Sequence, residues 1–197
     1  MGKHTRKAEH PISEIFLERW SPRAYTGEEI SEAALLTILE AARWAPSAYN
    51  MQPWRFIYAR KGTAHWDRLL ATLNEFNQSW ARNASALVVV VSAENGTPPG
   101  KDQPVPNASH SFDTGAAWGF LALQASLEGW QAHGMAGIDR DKARIDLGVP
   151  AGYRIEAAVA IGKPGDKSTL PEALQAREVY SPRQPLANIA AEGKFSF

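Results

Sequence analysis

The chain has 197 residues, 44% hydrophobic and 21% charged, which is enough apolar material for one buried core in the proportions of a globular protein. Its 21 Lys and Arg balance its 21 Asp and Glu, so no overall field favours nucleic acid or an anionic membrane surface. The absence of cysteine excludes disulfides, thiolate zinc centres, cysteine-bound iron–sulfur clusters and a cysteine nucleophile.

The basic start, MGKHTRKAEHP, is not followed by the apolar run of a secretory signal, and no stretch is apolar for long enough to span a bilayer. A cytoplasmic protein is therefore expected. Residues 11–19 read as a short helix leading into Trp20-Ser21-Pro22-Arg23. From Ser31, a residue suited to capping, Leu35, Ile38, Leu39 and Ala42 recur at three- and four-residue steps and predict a helix over 31–45. Glu32 suits its first turn, and Pro46 stops it by removing a backbone donor. The polar stretch from Ser47 to Gln52 then leads through Pro53 into a strand near 54–59. A polar loop held between a helix end and a strand start is either a ligand site or a plain surface turn.

Further along, Leu69, Leu70, Leu73 and Phe76 give residues 65–80 helical spacing. The unbroken run from Ala86 to Val91 has the pattern of a strand covered on both faces. Residues 95–109, rich in Pro, Gly and Asn, read as a mobile loop. Asp113 is placed to cap a long apolar helix through Phe120, Leu121, Leu123 and Leu127 that ends near Gly129, and residues 155–161 form another strand. From Pro171 onward the apolar density is too low for a core of its own. Helices and strands are intermixed rather than strictly alternating, so the expected fold class is α+β, one domain over residues 1–197 with a mixed β-sheet sandwiched by helices.

No dinucleotide fingerprint, P-loop or G-x-S-x-G elbow is present. The histidines, at positions 4, 10, 65, 110 and 133, show no His-x-x-x-His spacing, so no metal site is expected. Asp139, Asp141 and Asp146 read as helix-start and surface charges. With neither an acid–base pair nor a nucleophile in evidence, no catalytic side chain is assigned, and the residue types point to chemistry carried by a borrowed cofactor.

Two blocks in order, Arg19-Trp20-Ser21-Pro22-Arg23 and Ala41-Ala42-Arg43-Trp44-Ala45-Pro46-Ser47-x-x-Asn50-x-Gln52-Pro53-Trp54-Arg55-Phe56, resemble the FMN-dependent nitroreductase family. The likeness continues weakly through Phe76-Asn77, the valine strand, the helix near Asp113, the turn from His133 to Gly137, and Pro182-Arg183-Gln184-Pro185-Leu186. It implies a nitroreductase-like, intertwined homodimer with FMN at the subunit interface and a C-terminal arm, about residues 171–197, embracing the partner. It also implies electron transfer from NADH or NADPH, by a ping-pong cycle through flavin N5, to a nitroaromatic, quinone-like or related conjugated acceptor, with no nucleic acid or membrane partner. A flavin-binding module without turnover, and another flavin reaction on the same scaffold, are the alternatives.

The resemblance also distributes roles. Arg19, Ser21 and Arg183 match phosphate ligands, where cationic forks and hydroxyl donors suit a doubly charged anion. Trp20 belongs to the same block. Arg23 matches a cation beside flavin N1 and O2, its bland alternative being a structural ion pair. Asn77 matches an amide at the isoalloxazine edge, or else a helix cap. Gly134, Met135, Ala136 and Gly137 match a turn whose backbone N–H groups face N5 and O4. Pro46, Ser47, Ala48, Asn50 and Gln52 match the loop that reaches the cofactor held by the partner subunit. Two departures stand out: Ser181 occupies a place that is often basic, and Ala136 one that is often acidic.

Overall fold

A computed structural model describes residues 5–197; residues 1–4, the first part of the basic start with one of the histidines, lie outside the described residues. In chain order the elements are α1 (Ile15–Glu18), α2 (Glu32–Arg43), β1 (Trp54–Arg60), α3 (Trp66–Leu70), α4 (Glu75–Ala81), β2 (Ala86–Ala93), β3 (Asn95–Gly96), β4 (Val105–Pro106), α5 (His110–Leu127), β5 (Gln131–Met135), α6 (Arg140–Asp146), β6 (Tyr153–Gly162) and α7 (Glu172–Gln175). Among the described residues no helix is long and apolar enough to cross a membrane.

The main sheet has four strands in the order β1-β2-β6-β5. All three pairings are antiparallel, so within one chain the expected mixed sheet is an antiparallel one, while the α+β class and the helices on both faces stand. Strand alternation divides β2 between two cores. Leu87, Val89 and Val91 face Trp66, Leu69, Trp80 and Ala143 of α3, α4 and α6, whereas Ala86, Val88 and Val90 face Leu35 and Ile38 of α2 and Ala117 and Leu121 of α5. Full burial of a residue such as Leu35 or Ile38 contributes roughly 1.5–3 kcal/mol, which is why the three-and-four spacing of α2 marks its position reliably. Ser31 caps α2 as expected, its hydroxyl accepting from Ala34 N at 3.1 Å.

Three expected elements differ. The helix predicted over 65–80 breaks into α3 and α4, because Leu73 leaves the helix to bridge Ile138 and the Asn74 carboxamide caps α4 by accepting from Asn77 N. The long helix begins at His110, so Asp113 lies in its first turn rather than at its cap. The turn expected at residues 133–137 is largely strand: β5 runs to Met135 at the edge of the sheet. The loop over 95–109 contains the small β3–β4 hairpin, and Gly96 lies so close to Met51 that a Cβ there would fall 2.6 Å from its sulfur. Beyond β6, Leu170 and Leu174 enter the core, whereas residues 181–197 are exposed throughout.

Candidate cofactor site

Residues 19–23 are tied to the edge strand β5 at two points. Trp20 N donates to Gln131 Oε1 at 3.1 Å, and His133 Nδ1 lies 2.9 Å from the Pro22 carbonyl. A carbonyl only accepts, so the proton of His133 is on Nδ1. Burial, reinforced by the charges of Arg23 and Arg19, pulls the His133 pKa down to about 4 and keeps the ring neutral. Along the segment, Trp20, Pro22 and Ala24 are buried while Arg19, Ser21 and Arg23 are partly exposed. This is the two-residue alternation of extended chain, and it sets the three polar side chains on one face. The Trp20 ring, by contrast, stacks on Tyr180 with centroids 4.6 Å apart, so its side chain anchors the segment instead of joining that face.

A cleft of about 720 Å³ opens beside this face. Arg19 and Ser21 line it together with Gly134 and Met135 of the β5 edge, Ala136 just beyond it, and Trp118 of α5. The size suits a cofactor-scale ligand, and the wall is largely apolar with a few polar groups. Gly134 lets the strand edge pack closely on α5, since a Cβ there would come within 3.1 Å of the Trp118 ring. Among the described residues no group of three or more His, Asp or Glu could hold a metal ion.

Next to this wall, Asn77 is buried and donates through Nδ2 to the Gly137 carbonyl at 3.0 Å. The cap of α4 is Asn74, not Asn77, so the cap reading of Asn77 does not hold. Arg23 has a mixed environment. Its backbone N donates to Glu178 Oε1 at 2.7 Å, but its guanidinium Nη1 stands 4.0 Å from Glu178 Oε2, beyond hydrogen-bonding distance. Both Arg23 Nε and Glu178 Oε2 are buried without a hydrogen-bond partner. Burial and the neighbouring Arg177 hold the Arg23 guanidinium below its usual pKa, with Glu178 opposing. An orphaned, buried cationic donor is the feature expected of a group awaiting an anionic or carbonyl acceptor.

The loop from Pro46 to Gln52 stands apart from these residues and does not line the cleft of its own chain. Tyr49, Asn50 and Gln52 all take left-handed backbone angles, with φ of 49°, 54° and 48°. Such a conformation is sparsely populated for residues other than glycine and is held by neighbours. Ser47 Oγ accepts from Gln52 N at 3.0 Å, Gln52 Nε2 donates to the Asn50 carbonyl at 3.1 Å, and Ala48 N donates to Asp113 Oδ2 at 3.1 Å. Asp113 is therefore the post of this loop, planted in the first turn of α5 where the helix dipole favours a carboxylate.

Arg183 lines a second cavity of about 480 Å³, adjoining the first at Phe16. Its charge reaches Arg19, whose guanidinium is held below its usual pKa by burial and then by Arg183. At the far end of the main cleft lies a cluster with no sequence signal. Glu156 is the extra residue of a bulge, since Val90 pairs with Ala157 and Val91 with Ile155. Its Oε1 accepts from Ser92 and Ser111, each at 2.6 Å, and His110 Nδ1 is 2.8 Å from Ser92 Oγ. Bulges commonly re-aim a side chain beside a functional cavity.

The chain matches the model of the Nitroreductase family over residues 17–163. It is 49% identical to a crystallised oxidoreductase containing FMN, with a TM-score of 0.94 over 100% of this chain and 98% of that one. A Desulfovibrio desulfuricans protein crystallised in complex with FMN is 28% identical, with a TM-score of 0.71 over 96% of this chain and 100% of that one. An NADH dehydrogenase of Thermus thermophilus is 29% identical over 177 residues, covering 77% of this chain and 85% of its own. The paired blocks, the cleft along the β5 edge and a family match over most of the chain converge: this protein belongs to the Nitroreductase family.

Proposed function

We propose that the chain is an FMN-dependent oxidoreductase that takes electrons from NADH or NADPH and passes them to nitroaromatic, quinone or related conjugated acceptors, donor and acceptor visiting one site in turn. The observation that carries this reading is the cleft itself: one wall is the open β5 edge, one end holds Arg19 and Ser21, and Arg23 nearby keeps a buried Nε without a partner. FMN, when bound, supplies the two-electron redox chemistry. The chain supplies position and charge. Arg19, Ser21 and Arg183 hold the phosphate; Arg23 presents its orphaned donor to the electron-accepting edge of the ring system; Asn77 and the backbone of Gly134, Met135, Ala136 and Gly137 address the ring edge. Trp20 contributes by fixing the segment that carries the arginines.

The site is completed in a homodimer, with Pro46, Ser47, Ala48, Asn50 and Gln52 reaching the cofactor of the partner subunit. Supporting this, the loop lies away from the cleft of its own chain and carries an exposed Tyr49, beside exposed Trp44 and Phe112. Gly115 and Gly119 of α5 meet nothing within 4 Å where a Cβ would stand, leaving room for close approach of a second copy. Residues 171–197 are the arm of this single domain, docked on their own subunit through Leu174 and, at Ser181 and Leu186, through backbone hydrogen bonds with Arg6 and Glu9, while the exposed side chains from residue 181 onward are left to meet the partner. The working compartment is the cytoplasm. Anaerobic addition of NADH, then NADPH, to the yellow protein tests the reading: rapid bleaching, reversed by a quinone or nitroaromatic, is expected. Failure of both donors to bleach it would replace the oxidoreductase with a flavin-holding module.

A further inference from the structure

We propose that Arg6 is the positioning residue of the phosphate end of the site, clasping together the two segments that carry Arg19 and Arg183. Its guanidinium spans carbonyls from both: Nη1 donates to Arg19 O at 2.7 Å and to Leu17 O at 3.1 Å, and Nε donates to Ser181 O at 2.9 Å. The first two carbonyls lie at the end of α1, whose C-cap is Arg19. The third lies two residues before Arg183. One planar fork from the N-terminal segment thus fixes the backbone on both sides of the pair.

The electrostatics agree with the geometry. Burial first, then Arg183 and Arg19, hold Arg6 below its usual pKa, so the three guanidinium groups repel one another. None of the three forms an ion pair with a carboxylate among the described residues. Like charges held together in this way are a cost to the free protein and are relieved by an anion with several acceptor oxygens. Arg6 is further seated by the Tyr180 ring, 5.1 Å beneath its guanidinium carbon, and Tyr180 in turn stacks on Trp20. Arg6, Ser181 and Arg183 lie outside residues 17–163 and Leu17 and Arg19 inside, so this clasp ties the family-matched region to two segments that the match does not include.

The role rests on the FMN reading, and the test separates the two. FMN and riboflavin, which differ by the phosphate, are titrated into the apoprotein of wild type, Arg6→Gln and Arg6→Lys. Wild type is expected to prefer FMN. In Arg6→Gln the FMN dissociation constant should rise about tenfold or more, the loss of about one charge-assisted contact, while that for riboflavin stays within about twofold. Arg6→Lys keeps the charge but a lysine cannot span three carbonyls, so it should recover only part of the preference. Unchanged FMN affinity in Arg6→Gln, an equal loss for both flavins, or full recovery by Arg6→Lys would each overturn the clasp. A wild type that does not distinguish FMN from riboflavin would overturn the FMN reading itself, and the role of Arg6 with it.

Discussion

His133 offers a test of whether β5 and the arginine-bearing segment are joined as described. Its ring is neutral in the folded protein because its pKa falls from 6.5 to about 4, and Nδ1 donates to the Pro22 carbonyl. In the unfolded chain the ring takes up a proton near 6.5, so between pH 6.5 and about 4 the unfolded state binds more protons than the folded one. The contribution of this group is therefore complete above pH 6.5 and is lost as the pH falls toward 4. A depression of this size corresponds to about 3 kcal/mol at 1.36 kcal/mol for each pKa unit, a large fraction of a typical folding stability. The variant for comparison is His133→Asn, whose amide can donate to the same carbonyl but does not titrate. Urea unfolding of both proteins, stepped through this pH range, should show a steeper acid loss in wild type; carboxylate titration is common to both and cancels in the difference. Parallel pH profiles would refute a buried neutral His133 at this junction.

Other perturbations follow from single contacts. In Gly137→Ala the new Cβ would stand 2.5 Å from Asn77 Nδ2 and nearer still to Asn74 Nδ2, displacing both amides. A stability loss of about 1–3 kcal/mol, read as a lowered melting temperature, is expected, and unaltered melting would mean that the α4–β5 junction is looser than described. Asp113→Ala leaves Ala48 N without its acceptor and should make the loop from Pro46 to Gln52 more sensitive to limited proteolysis; equal cleavage rates would remove Asp113 as its post. Arg23→Ala should lower the midpoint potential of the bound flavin and slow anaerobic reduction by NAD(P)H about tenfold. An unchanged potential with reduced stability would leave Arg23 as a structural partner of Glu178 only.

The parts of the fold that were legible are those whose side-chain period survives packing. Leu35, Ile38 and Ala42 of α2, and the unbroken valines of β2, have the burial that their pattern implies. β5 was not legible, because Gln131-Ala132-His133-Gly134-Met135 has no β-branched residue and its place is set by pairing with β6. The break between α3 and α4 depends on a bridge from Leu73 to Ile138, which local spacing does not encode. In the site, Arg19, Ser21 and the β5 edge residues meet at one cleft, whereas the Trp20 ring turns into the core and the loop beginning at Pro46 stands elsewhere. Arg6 left no local signal either, since its hydrogen-bonding partners lie 11, 13 and 175 residues away. The Glu156 cluster escaped for a similar reason: a bulge in register, visible only once β2 and β6 are paired, is what brings it together with Ser92 and Ser111.

The central claim, that this site holds FMN and draws its chemistry from it, is tested most directly by identifying the flavin that leaves the denatured protein. Yellow protein purified after expression with ample riboflavin should release, on heating and on chromatography beside standards, FMN in about one-to-one proportion to chain. That ratio follows from one cleft per subunit with Arg19 and Ser21 at its end. Stoichiometric FAD, or a colourless protein that gives no spectral change when FMN is added, would contradict the account.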